Sequence, residues 1–113
     1  MNITHHALEE ATVVTLSGEL DGKTAAAAQQ QISPLIPSGG RILLDLSQVQ
    51  YMSSAGLRMM LLLYRQALAQ DSKIALVGLS GDIRDTMDAT GFLDFFVVGE
   101  SLDSGLKLLE PSP

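Results

Sequence analysis

Two stretches of the chain are apolar at nearly every position: Ile42-Leu43-Leu44-Asp45-Leu46 within RILLDLSQV (41–49), and Ile74-Ala75-Leu76-Val77 within KIALVGL (73–79). A strand with one face in water alternates apolar and polar residues, so a strand apolar at successive positions must be covered on both faces. Parallel sheets meet that condition, because strands running the same way need crossovers, usually helices, that lie on the sheet. The segment between the two runs, 54 to about 69, has helical character. Leu57, Met60, Leu61, Tyr64, Ala67 and Leu68 recur at helical spacing, with Arg58, Arg65 and Gln66 on the opposite side. Strand, helix and strand together predict a βαβ unit with residues 41–49 near the centre of the sheet.

The flanking segments extend this unit. TVVTLSG (12–18) has the β-branched content of a strand, and NITHHAL (2–8) can pair with it through the polar turn at Glu9-Glu10, giving an opening hairpin. DGKTAAAAQQQISPLI (21–36) predicts a helix capped by Thr24 or Asp21 and stopped between Pro34 and Pro37, before Gly39-Gly40. SGDIRDTMDATGF (80–92) predicts a short helix with a serine or aspartate cap and Gly91 at its C-terminal end. FFVVGE (95–100) follows as a strand, and SLDSGLKLLE (101–110) as a last helix before Pro111. After the hairpin the order is β-α-β-α-β-α-β-α. The expected fold is a single α/β domain over residues 1–110, with a mixed, mostly parallel sheet, an antiparallel N-terminal hairpin strand and about four helices, then a short tail at 111–113.

Composition narrows the function classes. With 113 residues there is room for one core, and 46% hydrophobic against 4% aromatic residues makes that core aliphatic. The net charge of -6, with no basic run, opposes binding to nucleic acid, which depends on cations displacing counterions from phosphates. The absence of cysteine excludes disulfides, thiolate metal sites and a cysteine nucleophile, and suits a reducing compartment. The longest apolar run, Met59 to Tyr64, is far below the roughly 20 residues that span a bilayer, and no signal-like block opens the chain. A cytoplasmic protein without membrane insertion is expected.

In a parallel α/β sheet, ligands gather where strands end at their carboxyl termini. The relevant stretches are SGELDGKT (17–24), YMSSAGL (51–57) and GLSGD (78–82). Ser53 and Ser54 fall where the second helix begins, so either hydroxyl can cap its free amides. A phosphate there would face the amides of Ala55, Gly56 and Leu57 and the positive end of the helix dipole. Ala55 and Gly56, being small, are expected to leave the helix start open to a large partner. Asp21 is a turn residue, or a carboxylate on the same rim as Ser54. Asp45 lies within a strand and suits a strand end or an internal hydrogen bond better than a metal. His5 and His6 have no acid or nucleophile placed to complete a triad and read as a solvated strand face. SGELDG lacks the lysine of a phosphate-binding loop. The run from Met59 to Tyr64 is apolar almost all round and reads mostly as core, but Leu62 falls near the polar stripe of Arg58, Arg65 and Gln66, so an exposed Met59–Leu62 surface beside Ser54 would suit a partner.

The combination of SGELDGKTA (17–25), ILLDLSQVQYMSSAGLRMMLLLYRQA (42–67) and KIALVGLSGDIRDTMDATGFLDFF (73–96) resembles the STAS domain of bacterial anti-sigma factor antagonists over nearly the whole chain. The resemblance implies a STAS-like fold, no enzymatic activity, no cofactor and no metal. It implies that the unmodified protein binds an ATP-dependent serine kinase doubling as an anti-sigma factor, that phosphorylation ends the binding, and that a metal-dependent serine phosphatase restores it. The family motif reads Asp-Ser-(Ser/Thr)-Gly-Leu-Gly, with the first hydroxyl after Asp phosphorylated. Laid on this chain it puts the acceptor on Ser54, with Ser53 as second choice. Gly56 and Leu57 match; Ser53 stands where the family has Asp, Ala55 at the variable hydroxyl position, and Arg58 at the last Gly. Asp21 matches the family aspartate of the GELD loop. The expected partner surface comprises Asp21, Gly22, Ser53, Ser54, Ala55, Gly56, Leu57, Arg58, Met59 and Leu62. Two other readings stay open: a STAS scaffold or ligand sensor that is not phosphorylated, and a weak nucleotide-binding protein or small hydrolase using Asp21, Asp45 and Ser54, which lacks a base and a metal set. Oligomeric state is not legible.

Overall fold

In a computed structural model that describes residues 1–110, β1 (Asn2–Ala7) and β2 (Thr12–Leu20) form the expected hairpin, paired from Asn2 opposite Ser17 to Ala7 opposite Thr12. The tail read at 111–113 lies outside the described residues. β2 pairs in parallel with β3 (Arg41–Met52), β3 with β4 (Lys73–Val77) and β4 with β5 (Val97–Gly99), so the sheet order is β1-β2-β3-β4-β5. Strand order equals chain order. Each crossover therefore steps one strand in the same direction, and right-handed crossovers that never reverse put their helices on one face.

That face carries α1 (Ala25–Ile32), α2 (Ser54–Ala69) and α3 (Gly81–Ala89), and beneath them lie Val14, Leu16, Ile42, Leu44, Leu46, Ile74 and Leu76. Alternate residues of the same strands, Val13, Leu43, Ala75 and Val77, point the other way and are sealed by α4 (Leu102–Leu109) through Leu109 and Leu106. The two-sided cover explains why β3 and β4 read as unbroken apolar runs. β3 is central, as expected.

Helix ends follow local chemistry. Ser80 accepts the Ile83 amide at 3.3 Å to start α3, and Gly91 takes a left-handed φ of 80° just beyond its end, a conformation that favours glycine. α4 opens with a capping box between Ser101 and Ser104. The first helix stops at Ile32, and Ser33–Leu35 continue as one 3-10 turn.

Three expectations need correction. The buried stripe of α2 runs through Gly56, Met60, Leu63 and Ala67 and is widened by Leu57 and Met59, whereas Leu61 and Tyr64 are half-buried and Leu68 is exposed. The helix packs against both the sheet and α1, which turns its apolar arc away from the one spacing alone suggests. Gln66, expected in solvent, instead donates to the Ser33 carbonyl at 3.0 Å and to Gln70 Oε1 at 2.7 Å. The last strand is also shorter than FFVVGE implies: Phe92–Phe95 form a 3-10 turn, and Phe95 and Phe96 lie 5.4 and 5.5 Å from the Tyr64 ring. Aromatic packing on α2 overrides their strand preference.

Candidate functional site

The serine pair is presented by the end of β3, and the shape of that end comes from two register shifts against β2. Opposite Thr15 and Ser17 stand Asp45 and Gln48, and opposite Gly18 and Glu19 stand Val49 and Tyr51. β3 thus carries an extra residue at each place, which bends and twists a strand. At the first shift Asp45 Oδ1 accepts the Ser47 amide at 3.0 Å, so this carboxylate holds the backbone of its own strand. Beyond the second shift the strands end together, Leu20 opposite Met52, and the Ser53 amide donates to the Leu20 carbonyl at 2.8 Å.

α2 begins at once. Ser53 is extended, and its Oγ accepts the Gly56 amide at 3.5 Å, a long hydrogen bond that makes Ser53 the cap. Ser54 is the first helical residue and is exposed. The two hydroxyls thus divide their work: one closes the helix start and the other faces outward.

Across the rim, the β2–α1 loop is built on Asp21. Its Oδ1 accepts the Lys23 amide at 2.9 Å and the Thr24 amide at 3.2 Å, while Thr24 Oγ1 donates to the Glu19 carbonyl at 2.7 Å. The Lys23 amide chiefly, with the Thr24 amide and hydroxyl, holds the Asp21 carboxyl below the ordinary aspartate range, against a smaller opposing effect of desolvation. Asp21 is therefore an ionised turn former, and Thr24, whose side chain serves this loop, makes no side-chain cap on α1.

Three expected surface residues are not at the surface. Gly56 is buried, and a Cβ on it would stand 2.7 Å from Met52 Cγ and 2.9 Å from the Leu20 carbonyl oxygen. Its small size lets α2 start against the end of β2, rather than opening the helix to a partner. Leu57 is 7% exposed and Met59 2%, both turned into the core by the packing of α2 on α1 and the sheet. Leu62 is exposed, at 40%. Met59 is instead part of the floor of a shallow groove of about 200 Å³ between α1 and α2, whose lining includes Gly22, Ala55, Arg58 and Leu62.

On the other flank, a recess of about 270 Å³ between β3 and α3 is lined by Gln50, Tyr51, Met52, Asp82, Ile83 and Thr86. Tyr51 is 52% exposed and was not singled out from sequence. No alternation in the sequence marks it, because the register shift between Val49 and Tyr51 leaves Gln50 and Tyr51 both exposed.

The remaining candidates do not join this rim. His5 and His6 are exposed on the edge strand, opposite Val14 and Val13. They lie six or more residues short of Leu20, or about 20 Å at the rise of a strand. Asp45 lies seven residues before Met52, so Asp21, Asp45 and Ser54 form no common constellation. Among the described residues no group of three His, Asp or Glu side chains is placed to hold a metal ion, and no helix is long and apolar enough to cross a membrane.

Comparison with known proteins gives a consistent result. A family model described as the STAS domain matches residues 2–105. BtrV of Bordetella bronchiseptica, named as a candidate anti-sigma factor antagonist, is 28% identical over 105 residues, which cover 92% of this chain and 90% of BtrV. A crystal structure of an anti-sigma factor antagonist from Mycobacterium paratuberculosis superposes with a TM-score of 0.85 at 25% identity, covering 96% of this chain and 92% of the other. The Bacillus cell fate determinant SpoIIAA in its phosphorylated form shares the fold, with a TM-score of 0.71 at 20% identity over 96% of this chain and 100% of the other.

Proposed function

The chain belongs to the STAS domain family, and from that premise we propose that it is a cytoplasmic anti-sigma factor antagonist controlled by phosphorylation of Ser54. In this reading the unmodified protein docks on an ATP-dependent serine kinase that is also an anti-sigma factor. The observation that carries it is the division of labour at the helix start: Ser53 caps α2, while Ser54 stands exposed on its first turn. Relatives named for anti-sigma antagonism over nearly the whole chain support the partner class.

The chemistry asks little of this protein. The kinase transfers the γ-phosphoryl group of ATP: the Ser54 Oγ–P bond forms, the bond from the γ-phosphorus to the bridging oxygen breaks, ADP leaves, and the hydroxyl proton passes to a base on the kinase. A metal-dependent phosphatase reverses the modification by hydrolysis. No catalytic group or cofactor is needed on this chain, and no nucleic acid enters the cycle. The product is a change in docking. Phosphate brings about -1.5 to -2 charges to the rim of a protein already at -6, and a partner closing over it would have to desolvate them. The docking surface comprises Ser54, Ala55, Arg58 and Leu62 on α2, with Asp21 and Gly22 across the rim.

The test is mass spectrometry of the protein after incubation with lysate of its native cell and ATP, comparing wild type with Ser54→Ala and Ser53→Ala. One phosphate lost only in Ser54→Ala is the expected result. Phosphate lost only in Ser53→Ala moves the acceptor by one residue. No phosphate, in a lysate that phosphorylates a known antagonist of this class, overturns the switch in favour of an unphosphorylated scaffold.

A further inference from the structure

We propose that Arg58 is the internal counter-ion of a phosphate on Ser54, so that modification adds a charge and also commits the guanidinium of the docking surface. The inference rests on the reading of Ser54 as acceptor. It concerns a residue at which this chain departs from the family motif, where glycine has no side chain to offer.

Ser54 and Arg58 are the first and fifth residues of α2, and both are exposed. Residues four apart on a helix stand one above the other, with Cβ atoms about 5–6 Å apart. Helical side chains lean toward the N-terminus, which puts Ser54 within the reach of the Arg58 side chain. The order, anion first and cation four residues later, is the favourable one for such pairs. A guanidinium also matches phosphate oxygens with two parallel N–H donors, which an ammonium cannot do.

The first turn of α2 contains no acidic residue, so the positive end of its dipole has no anionic side chain beside it. Phosphate on Ser54 supplies that missing negative charge. Arg58 also lines the α1–α2 groove beside Leu62. Once paired, the guanidinium of this groove residue is tied to the phosphate one turn away. The rim changes from an exposed cation next to a neutral hydroxyl to a net anion.

The experiment uses the full chain with phosphoserine installed at position 54 during translation, so that no kinase is required. Wild type, Arg58→Gln and Arg58→Lys are titrated by phosphorus NMR at low ionic strength and again at high salt. Other charged groups of the rim, Asp21 and Lys23 on the β2–α1 loop and Asp82 on α3, are the same in all three proteins, so differences report on residue 58. The second ionisation of the phosphate is expected about half a unit lower in wild type than in Arg58→Gln, with Arg58→Lys between them, and the gap shrinks with salt. Equal midpoints for wild type and Arg58→Gln, or a higher one for wild type, overturn the pairing. An independent readout on wild type alone is the Arg58 Nε–H resonance. Phosphorylation should shift it downfield and slow its exchange, and an unchanged signal also overturns the proposal. The two readings fail separately: absence of a cellular kinase for Ser54 would sink the switch and leave this pairing intact, and absence of pairing would leave the acceptor assignment standing.

Discussion

Replacing Gly56 with alanine is the sharpest test of how the serine pair is positioned. The new Cβ would meet Met52 Cγ at 2.7 Å, the Leu20 carbonyl oxygen at 2.9 Å and Leu20 Cβ at 3.0 Å. The first can move, because a methionine side chain is flexible. The Leu20 carbonyl cannot move freely, because it accepts the Ser53 amide at 2.8 Å and ends a strand already paired to β3. Overpacking of this kind costs about 1–3 kcal/mol, and weakening the Leu20–Ser53 hydrogen bond adds about 0.5–1.5 kcal/mol. Alanine returns up to about 1 kcal/mol through its better helix propensity. The net loss is about 2 kcal/mol, which lowers the melting temperature of a domain this size by roughly 10 °C. Thermal and urea unfolding followed by circular dichroism measures it. Gly22→Ala serves as the control, since a Cβ there meets nothing within 4 Å and the change should be neutral or slightly stabilising. A Gly56→Ala protein as stable as wild type would refute the claim that glycine is needed there for close approach to β2.

Ser53→Ala should cost about 0.5–1 kcal/mol in urea unfolding, at the low end for a cap because the hydrogen bond to Gly56 is long at 3.5 Å; a loss above about 2 kcal/mol would show that Ser53 does more than cap. Asp21 should titrate below the ordinary aspartate range in carbon-detected NMR, because the Lys23 and Thr24 amides favour its ionised form. The sign follows: a depressed carboxyl stabilises the fold above its unfolded pKa, and that contribution disappears as pH falls through the folded value. Wild type should therefore be more stable than Asp21→Ala at neutral pH, with the gap narrowing in acid; a midpoint at or above the ordinary range would refute the loop geometry.

What the sequence reveals about this fold is mostly what repeats along it. Continuous apolar runs require two covered faces, and together with the helix between them they placed β3 centrally and parallel to β4. The bounds of α2 were legible because a serine pair precedes its apolar run and the helical spacing fades near Ala69. What was not legible depends on contacts between segments far apart. Met59 was assigned to the surface because a nearly all-apolar helix hides its own orientation, which only α1 and the sheet decide. Gly56 was read as an opening for a partner, although its reason lies in Leu20, thirty-six residues earlier. The site showed the same division. The serines and Asp21 could be placed on one rim from strand order, but which serine caps the helix is a matter of ångströms.

Matching strand order and chain order also has a meaning for synthesis. Each strand after the first finds its neighbour already made when it leaves the ribosome, so the sheet can grow in the order of translation without waiting for a distant segment. The face under α1, α2 and α3 is closed as it forms, because each crossover helix precedes the strand it delivers. The opposite face has no such escort. Leu43, Ala75 and Val77 wait for α4, whose residues Leu102–Leu109 emerge near the end of the described chain. A nascent chain stalled before that helix would hold a finished sheet with one bare apolar side, which is the surface a chaperone recognises.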